Sequence, residues 1–563
     1  MRREASVVNK KVCSFPILFA LLALLIGTCA VVFPASAQAA PTSTGSITVS
    51  GTVARSYDAY QIFSANVVDG DSDAKIATDL AWASDAVRDA ALPVLHSAGM
   101  PKSQTTAQEA AEWLNTDSHL TSALSAQLAR SLQSPGAVSV ALNAGTTAEL
   151  SCGYWLIVAD DAAIAQGEAG TAPIMALVGG SAVTVKPKAA TPKVQKHVLE
   201  GSTAAWQKAA DATVADDLYW RLSATVPAGL TAYDTYAVRF VDTMGAGLDP
   251  SKVAASMRVY VAAGADGGFD AVSADKDGRA GTKPAKGWTD ITAQCATKVA
   301  ADGKTFTVRT GDLIAALGGA DAFTAGARVV AVYNAPLNSA CNHGIAKGNP
   351  NEVYLRYPRS PFADQSGDAG FTRTPSDDAC AYTWDLALTK RGSDGDKPLA
   401  GAVLSITDDR GRTLAADGTW DAEGKATVTT GEDGRVTVSG VDSGKLEVRE
   451  LKAPKGYTAF EGTRSVTVKA EGLDVDQVAA AKPKLTITAE SPLRADSADG
   501  STGSLEASLI NTPTGTPPSI TTGGFMPSTG DMAMYAAAAA AVAGAALIVV
   551  ALLVKRGGGS HKE

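Results

Sequence analysis

Tyr382-Thr383-Trp384-Asp385-Leu386-Ala387-Leu388-Thr389-Lys390 alternates large apolar side chains with small or polar ones. Side chains on a strand change faces with period two. Tyr382, Trp384, Leu386, Leu388 and Lys390 therefore share one face of a strand, and Lys390 points with the aromatics into a core. Further along, Leu446, Val448 and Glu450 share a face, and so do Leu505, Ala507, Leu509 and Asn511. A lysine, a glutamate and an asparagine that all face inward are costly unless they meet. The pattern predicts a β-sandwich with these three side chains together in its core.

The same arithmetic recurs upstream. Val194, Lys196 and Val198 alternate on an opening strand, Tyr236, Val238, Phe240 and Asp242 on a middle one, and Asn351, Val353, Leu355 and Tyr357 on the last. Asn349 has the same parity as Asn351 and stands as its alternative. A buried Lys–acid–Asn set has a definite chemistry. Burial lowers the lysine pKa and raises that of the acid. The protonated acid can then hydrogen-bond the asparagine side-chain carbonyl, as carboxyls kept neutral by apolar sites do. The amine attacks, ammonia leaves, and a Lys–Asn isopeptide bond ties the first strand to the last. In this scheme Asp242 and Glu450 are catalytic, and Lys196–Asn351 and Lys390–Asn511 are the crosslinks.

Around these blocks the chain is rich in short alternating strands with Gly, Asp and Pro turns, the pattern of β-sandwiches. The 563 residues suffice for several domains. The expected organisation is all-β, with tandem Ig-like β-sandwiches. A first domain over 42–187 carries a helical insertion, Ala74 to Leu132, broken at Pro93 and around Pro101. A middle isopeptide-forming domain covers 189–378, and a third covers 380–513. The net charge of -9 and the few aromatics exclude a nucleic-acid-binding surface, which needs a basic face.

The two ends read as export and anchoring signals. Arg2, Arg3, Lys10 and Lys11 precede an apolar run from Phe15 to Phe33 and small residues up to Ala39, the order of a secretory signal peptide over 1–39. Cleavage after Ala37 or after Ala39 fits equally. At the other end a linker over 514–530 leads to an apolar run, Met532 to Val554, long enough to span a bilayer as a transmembrane helix. The basic tail over 555–563 is expected to stay cytoplasmic. Met526-Pro527-Ser528-Thr529-Gly530 stands just before that run. It resembles the LPXTG sorting signal with Met for Leu, a substitution that an unbranched, adaptable side chain tolerates. The resemblance implies that a sortase cysteine attacks the Thr529 carbonyl, releases Gly530 onward, and passes Thr529 to an amine.

Leu386 to Leu404 and Glu450-Leu451-Lys452-Ala453-Pro454-Lys455-Gly456-Tyr457 resemble the collagen-adhesin B-type domain, including the E-box of Gram-positive pilins. Asn511 sits in the closing Asn-Thr-Pro of that family. The middle block, with Arg239 to Leu248 and Gly348 to Pro361, resembles the middle domain of fimbrial shaft pilins. The resemblance implies the same crosslinking roles for Lys196, Asp242 and Asn351 and for Lys390, Glu450 and Asn511. It also implies a polymerising lysine at the first domain boundary. There Lys186-Pro187-Lys188 matches the Pro and final Lys of the family's Tyr-Pro-Lys motif but not its aromatic. Lys188 is the expected acceptor, with Lys193 as the substitute.

The implied partners are a pilin-specific and a housekeeping sortase, other copies of the chain, minor tip or basal pilins, and peptidoglycan. The implied location is a fimbrium on the cell surface, anchored to the cell wall. The alternative is a wall-anchored monomeric adhesin whose first domain binds a host receptor or glycan. Cys152, Cys295, Cys341 and Cys380 would stand in an oxidising compartment where disulfides persist. One disulfide among Cys295, Cys341 and Cys380 is expected, with its pairing open. The His residues are dispersed, without a zinc-binding or triad pattern, and the glycines mark turns. The sequence thus points to no enzyme, cofactor or metal site.

Overall fold

The computed structural model describes residues 43–515, except 52–54, 72–73, 117, 134–135, 188–190, 228–229, 265–267, 276–277 and 324–325. The signal peptide, Lys188, the sorting signal from Met526 to Gly530 and the apolar run after it all lie outside the described residues. Among the described residues no helix is long and apolar enough to cross a membrane. Strands dominate the described residues, in Ig-like sandwiches of two sheets.

In the first unit, Ser56–Asp69 is the central strand and pairs with Lys75–Trp82, Ser139–Asn143 and Gly153–Ala159. Its alternation serves two cores. Tyr57 and Ala59 pack against Ile47, Val49 and Leu150 of the facing sheet. Tyr60 and Ile62 point the other way, under three helices. Those helices are Asp85–Ser97, Ala107–Asn115 and Ser122–Leu132, capped by Ser84, Thr106 and Thr121, with a full capping box between Thr106 and Glu109. The helical insertion therefore starts at Asp85, not Ala74. Lys75–Trp82 is a strand because pairing with Ser56–Asp69 overrides its propensity. Pro93 lies inside the first helix rather than breaking it.

The middle unit is a sandwich of two sheets. One has Val194–Glu200, Tyr219–Thr225 and Arg328–Asn334 side by side. The other runs Asp377–Tyr382, Asn349–Pro358, Arg239–Met244, Thr305–Arg309. Asn349–Pro358 is thus an inner strand and not the last, since Phe371–Arg373 and Asp377–Tyr382 follow it and pair with it. The expected continuous strand from Tyr382 is also divided. Tyr382 ends a strand of the middle unit, and Trp384 opens one of the third, so the chain crosses between units at Thr383.

In the third unit, Trp384–Gly392 and Ser504–Pro513 lie next to each other in parallel, with Leu388 opposite Ala507 and Lys390 opposite Leu509. The facing sheet holds Val403–Thr407, Gly444–Lys452 and Thr463–Glu471. Two loops of the middle unit grip this sandwich. The Val214 amide donates to the Gly440 carbonyl, and Asp211 accepts from the Trp384 indole and the Ser443 hydroxyl. The Ile345 amide donates to the Gly500 carbonyl, and His343 pairs with Asp385 at 2.8 Å.

Candidate functional site

Lys196 projects from Val194–Glu200 into the middle core and has no exposed surface. Its ammonium lies 5.5 Å from the centroid of the Trp220 ring and 5.4 Å from that of Tyr333. It contacts the Asp242 carboxyl directly, and Asp242 is fully buried too. The pair spans the two sheets, with the lysine on one and the acid on the other. Burial pushes the Lys196 pKa down and the Asp242 pKa up, and their mutual attraction opposes both shifts. The structure brings Asn351 to the same place. Its Nδ2 donates to the Tyr333 hydroxyl at 2.8 Å, while its Oδ1 is buried with no hydrogen-bond partner.

Asn349 is occupied elsewhere. Its Oδ1 accepts from the Asn342 amide at 2.8 Å, and its Nδ2 donates to the carbonyls of Asn342 and Ala381. Of the two asparagines, Asn351 is the one that shares a cluster with Lys196.

A fourth side chain, Tyr333, joins the cluster. Its hydroxyl accepts from Lys196 at 2.9 Å and from Asn351, and donates to Asp242 at 3.1 Å. A tyrosine on the inward parity of Arg328–Asn334 carries the signal of ordinary core, so nothing in the pattern marks it.

In the third unit, Lys390 is again without exposed surface, and burial lowers its pKa from 10.5 to about 8. Its Nζ lies 3.7 Å from Glu450 Oε1 and donates to the Leu509 carbonyl at 3.1 Å. Asn511 Nδ2 donates to both Glu450 oxygens, at 2.9 and 3.0 Å. A further bond from the Phe460 amide fixes the carboxyl. Here lysine and asparagine sit on adjacent parallel strands and the acid faces them from the other sheet. Asn511 Oδ1 is buried and unpartnered, like that of Asn351. The expected hydrogen bond from the acid to the asparagine carbonyl is not made in either unit. Glu450 touches the amide nitrogen, and Asp242 reaches the amide only through Tyr333.

The other sequence candidates fall outside these clusters. Lys186 and Lys193 are exposed. The disulfide expected among Cys295, Cys341 and Cys380 is not formed, and all three are free thiols, as is Cys152. They sit on separate elements. Cys295 donates to the Ile291 carbonyl, Cys341 lies beside His343 in the middle core, and Cys380 lies on Asp377–Tyr382 within the core of the third unit.

Residues 385–482 match the model of the SpaA prealbumin-like fold domain. Over 143 residues the chain is 30% identical to the trypsin-resistant surface T6 protein of Streptococcus pyogenes serotype M6, a match covering 24% of each chain. The chain thus matches about a quarter of the length of that curated relative. Among solved structures, it is similar to the T6 backbone pilin of the same organism, at 17% identity and TM-score 0.45 over 84% of this chain and 98% of that one. It is also similar to the major pilin SpaD of Corynebacterium diphtheriae, at 15% identity and TM-score 0.41 over 84% and 98%. These relatives are backbone pilins of Gram-positive bacteria.

Proposed function

We propose that the chain is a structural shaft subunit of a fimbrium, made rigid by two internal Lys–Asn bonds and joined to its neighbours by a sortase. The observation that carries this reading is the pair of buried Lys–acid–Asn clusters in two successive sandwiches. Leaving two amines uncrosslinked in apolar cores is costly, whereas an amide removes the charge for good. In each cluster the lysine nitrogen gives up a proton to the carboxyl, and the asparagine nitrogen gains one that the carboxyl releases. The amine forms its bond to the asparagine Cγ, the Cγ–Nδ2 bond breaks, and one ammonia leaves. The acid ends as it began.

The ends of the chain supply the polymer. A pilin sortase cleaves after Thr529 and transfers the acyl group to Lys188 of another copy, with Lys193 as the alternative acceptor. This head-to-tail contact does not close on itself, so it builds a fibre. A housekeeping sortase attaches the fibre base to peptidoglycan, and minor pilins occupy the tip or base. Immunoblots of wall extracts test this. We expect a ladder that survives boiling in detergent and is lost in Lys188→Ala; a single band in the wild type would instead indicate a monomeric adhesin. The intact mass should be lower than the sequence mass by about 17 Da per internal bond, one ammonia each. An unchanged mass rejects both crosslinks.

A further inference from the structure

The two clusters differ in one covalent detail. In the third unit the acid is a glutamate, and it reaches both the lysine and the asparagine nitrogen itself, at 3.7 and 2.9 Å. In the middle unit the acid is an aspartate, one methylene shorter. It contacts Lys196, but between it and Asn351 stands the hydroxyl of Tyr333, 3.1 Å from Asp242 and 2.8 Å from Asn351 Nδ2. This hydroxyl uses its full valence. It accepts from two nitrogens and donates to the carboxylate, which is all that a phenol can do. Tyr333 has no exposed surface, and Phe306 packs edge-on against its ring at 4.9 Å between centroids, so the hydroxyl is held in place. The other carboxyl oxygen, Asp242 Oδ1, is buried and without a partner.

From this geometry we infer that Tyr333 is a catalytic residue of the middle crosslink, a proton relay that carries the acid function of Asp242 across the gap to the leaving nitrogen of Asn351. The inference rests on the crosslinking reading above. The step starts once Lys196 has passed a proton to Asp242, which leaves a neutral amine and a protonated carboxyl and lets the Tyr333 hydroxyl turn from Asp242 to Nδ2. As the Lys196 nitrogen bonds to Asn351 Cγ, Tyr333 passes its hydroxyl proton to Nδ2 and takes one from the Asp242 carboxyl. The Cγ–Nδ2 bond breaks and ammonia leaves. Asp242 recovers its proton from the attacking nitrogen, which becomes the amide N–H. Protons and electrons balance, and Tyr333 and Asp242 return to their starting states.

The chain provides its own control, because the Lys390–Asn511 bond needs no tyrosine. The full-length chain is pulse-labelled in cells, sampled over time, digested and analysed for the two linked peptides by mass spectrometry. In Tyr333→Phe the Lys390–Asn511 peptide should form at the wild-type rate and the Lys196–Asn351 peptide about a hundredfold more slowly, the scale of a lost general acid. A Lys196–Asn351 peptide that forms at its wild-type rate in that variant would overturn the relay. Absence of the Lys196–Asn351 peptide from the wild type would instead overturn the crosslinking reading itself. A second variant separates relay from packing. 3-Fluorotyrosine at position 333 keeps the shape and makes the hydroxyl more acidic, so a relay should change the rate about two- to fivefold. An unchanged rate there means that the hydroxyl only fills space.

Discussion

An amine held without water, as Lys390 is, gives up its proton more readily than a lysine in solution, and that property is measurable when the crosslink is prevented. In Asn511→Ala the lysine has no amide to attack and remains titratable. Its pKa in the folded state is lowered to about 8 by burial, against 10.5 for an ordinary lysine. Between these values the unfolded chain binds more protons than the folded one, so stability rises with pH across that window. Below pH 8 the cost of keeping a charged amine buried is fully present, and above 10.5 it is gone. The variant should therefore gain in denaturation midpoint between pH 7.5 and 10 relative to the wild type, in which the amide nitrogen of the proposed crosslink would not titrate. Parallel curves for the two would show that Lys390 leaves the core when unreacted. At this scale the sequence was informative where a polar residue broke an apolar alternation. Lys196, Asp242, Lys390, Glu450 and Asn511 were each visible in that way. Parity alone could not choose between Asn349 and Asn351, since the choice depends on which one the Asn342 loop occupies. Tyr333 was invisible because an inward aromatic is what a core ordinarily contains.

Strands place these residues in two different ways. In the third unit the lysine and asparagine strands are parallel neighbours, so the proposed bond would join adjacent strands of one sheet. In the middle unit it would join one sheet to the other. Alternation identified most of these strands but could not show their neighbours, because pairing is a long-range property of register and topology. Lys75–Trp82 was misread for that reason, and so was the rank of Asn349–Pro358 within its sheet. Gly440 is one of the glycines at the junction between the two sandwiches. Gly440, on Arg435–Val441, has φ +68, and its carbonyl accepts from the Val214 amide at 2.8 Å. A Cβ at this position would come within 2.3 Å of Val214 Cγ2. Gly440→Ala thus combines a left-handed backbone with a clash and should destabilise the junction by about 1–3 kcal/mol. Hydrogen exchange at the Ala212 and Val214 amides should accelerate, while the inner strands of both sandwiches keep their protection. Unchanged exchange at Val214 would show that the contact carries no stability.

At the scale of the whole molecule, the question is which residues a pull on the two ends can extend. Of the buried asparagines among the described residues, none lies in the first unit, so it has no lock of this kind. In the middle unit the position of Asn351 on an inner strand matters mechanically. The bond to Lys196 would close a loop over 196–351, leaving Phe371–Arg373 and Asp377–Tyr382 outside it. Residues 352–389, between the two proposed locks, are held by strand pairing and by the junction with the third unit. Single-molecule pulling on the full chain should therefore extend the first unit and then a segment of up to about 130 Å, at about 3.5 Å per residue. The residues inside the two loops should not extend at all. Lys196→Ala should release up to about 540 Å more, and Lys390→Ala up to about 420 Å, from the chain enclosed by each bond. Each release is set by one covalent link, so the two should add in the double variant. If the wild type and the double variant reach the same contour length, neither sandwich is locked, and the rigidity assigned to the shaft has to come from packing alone.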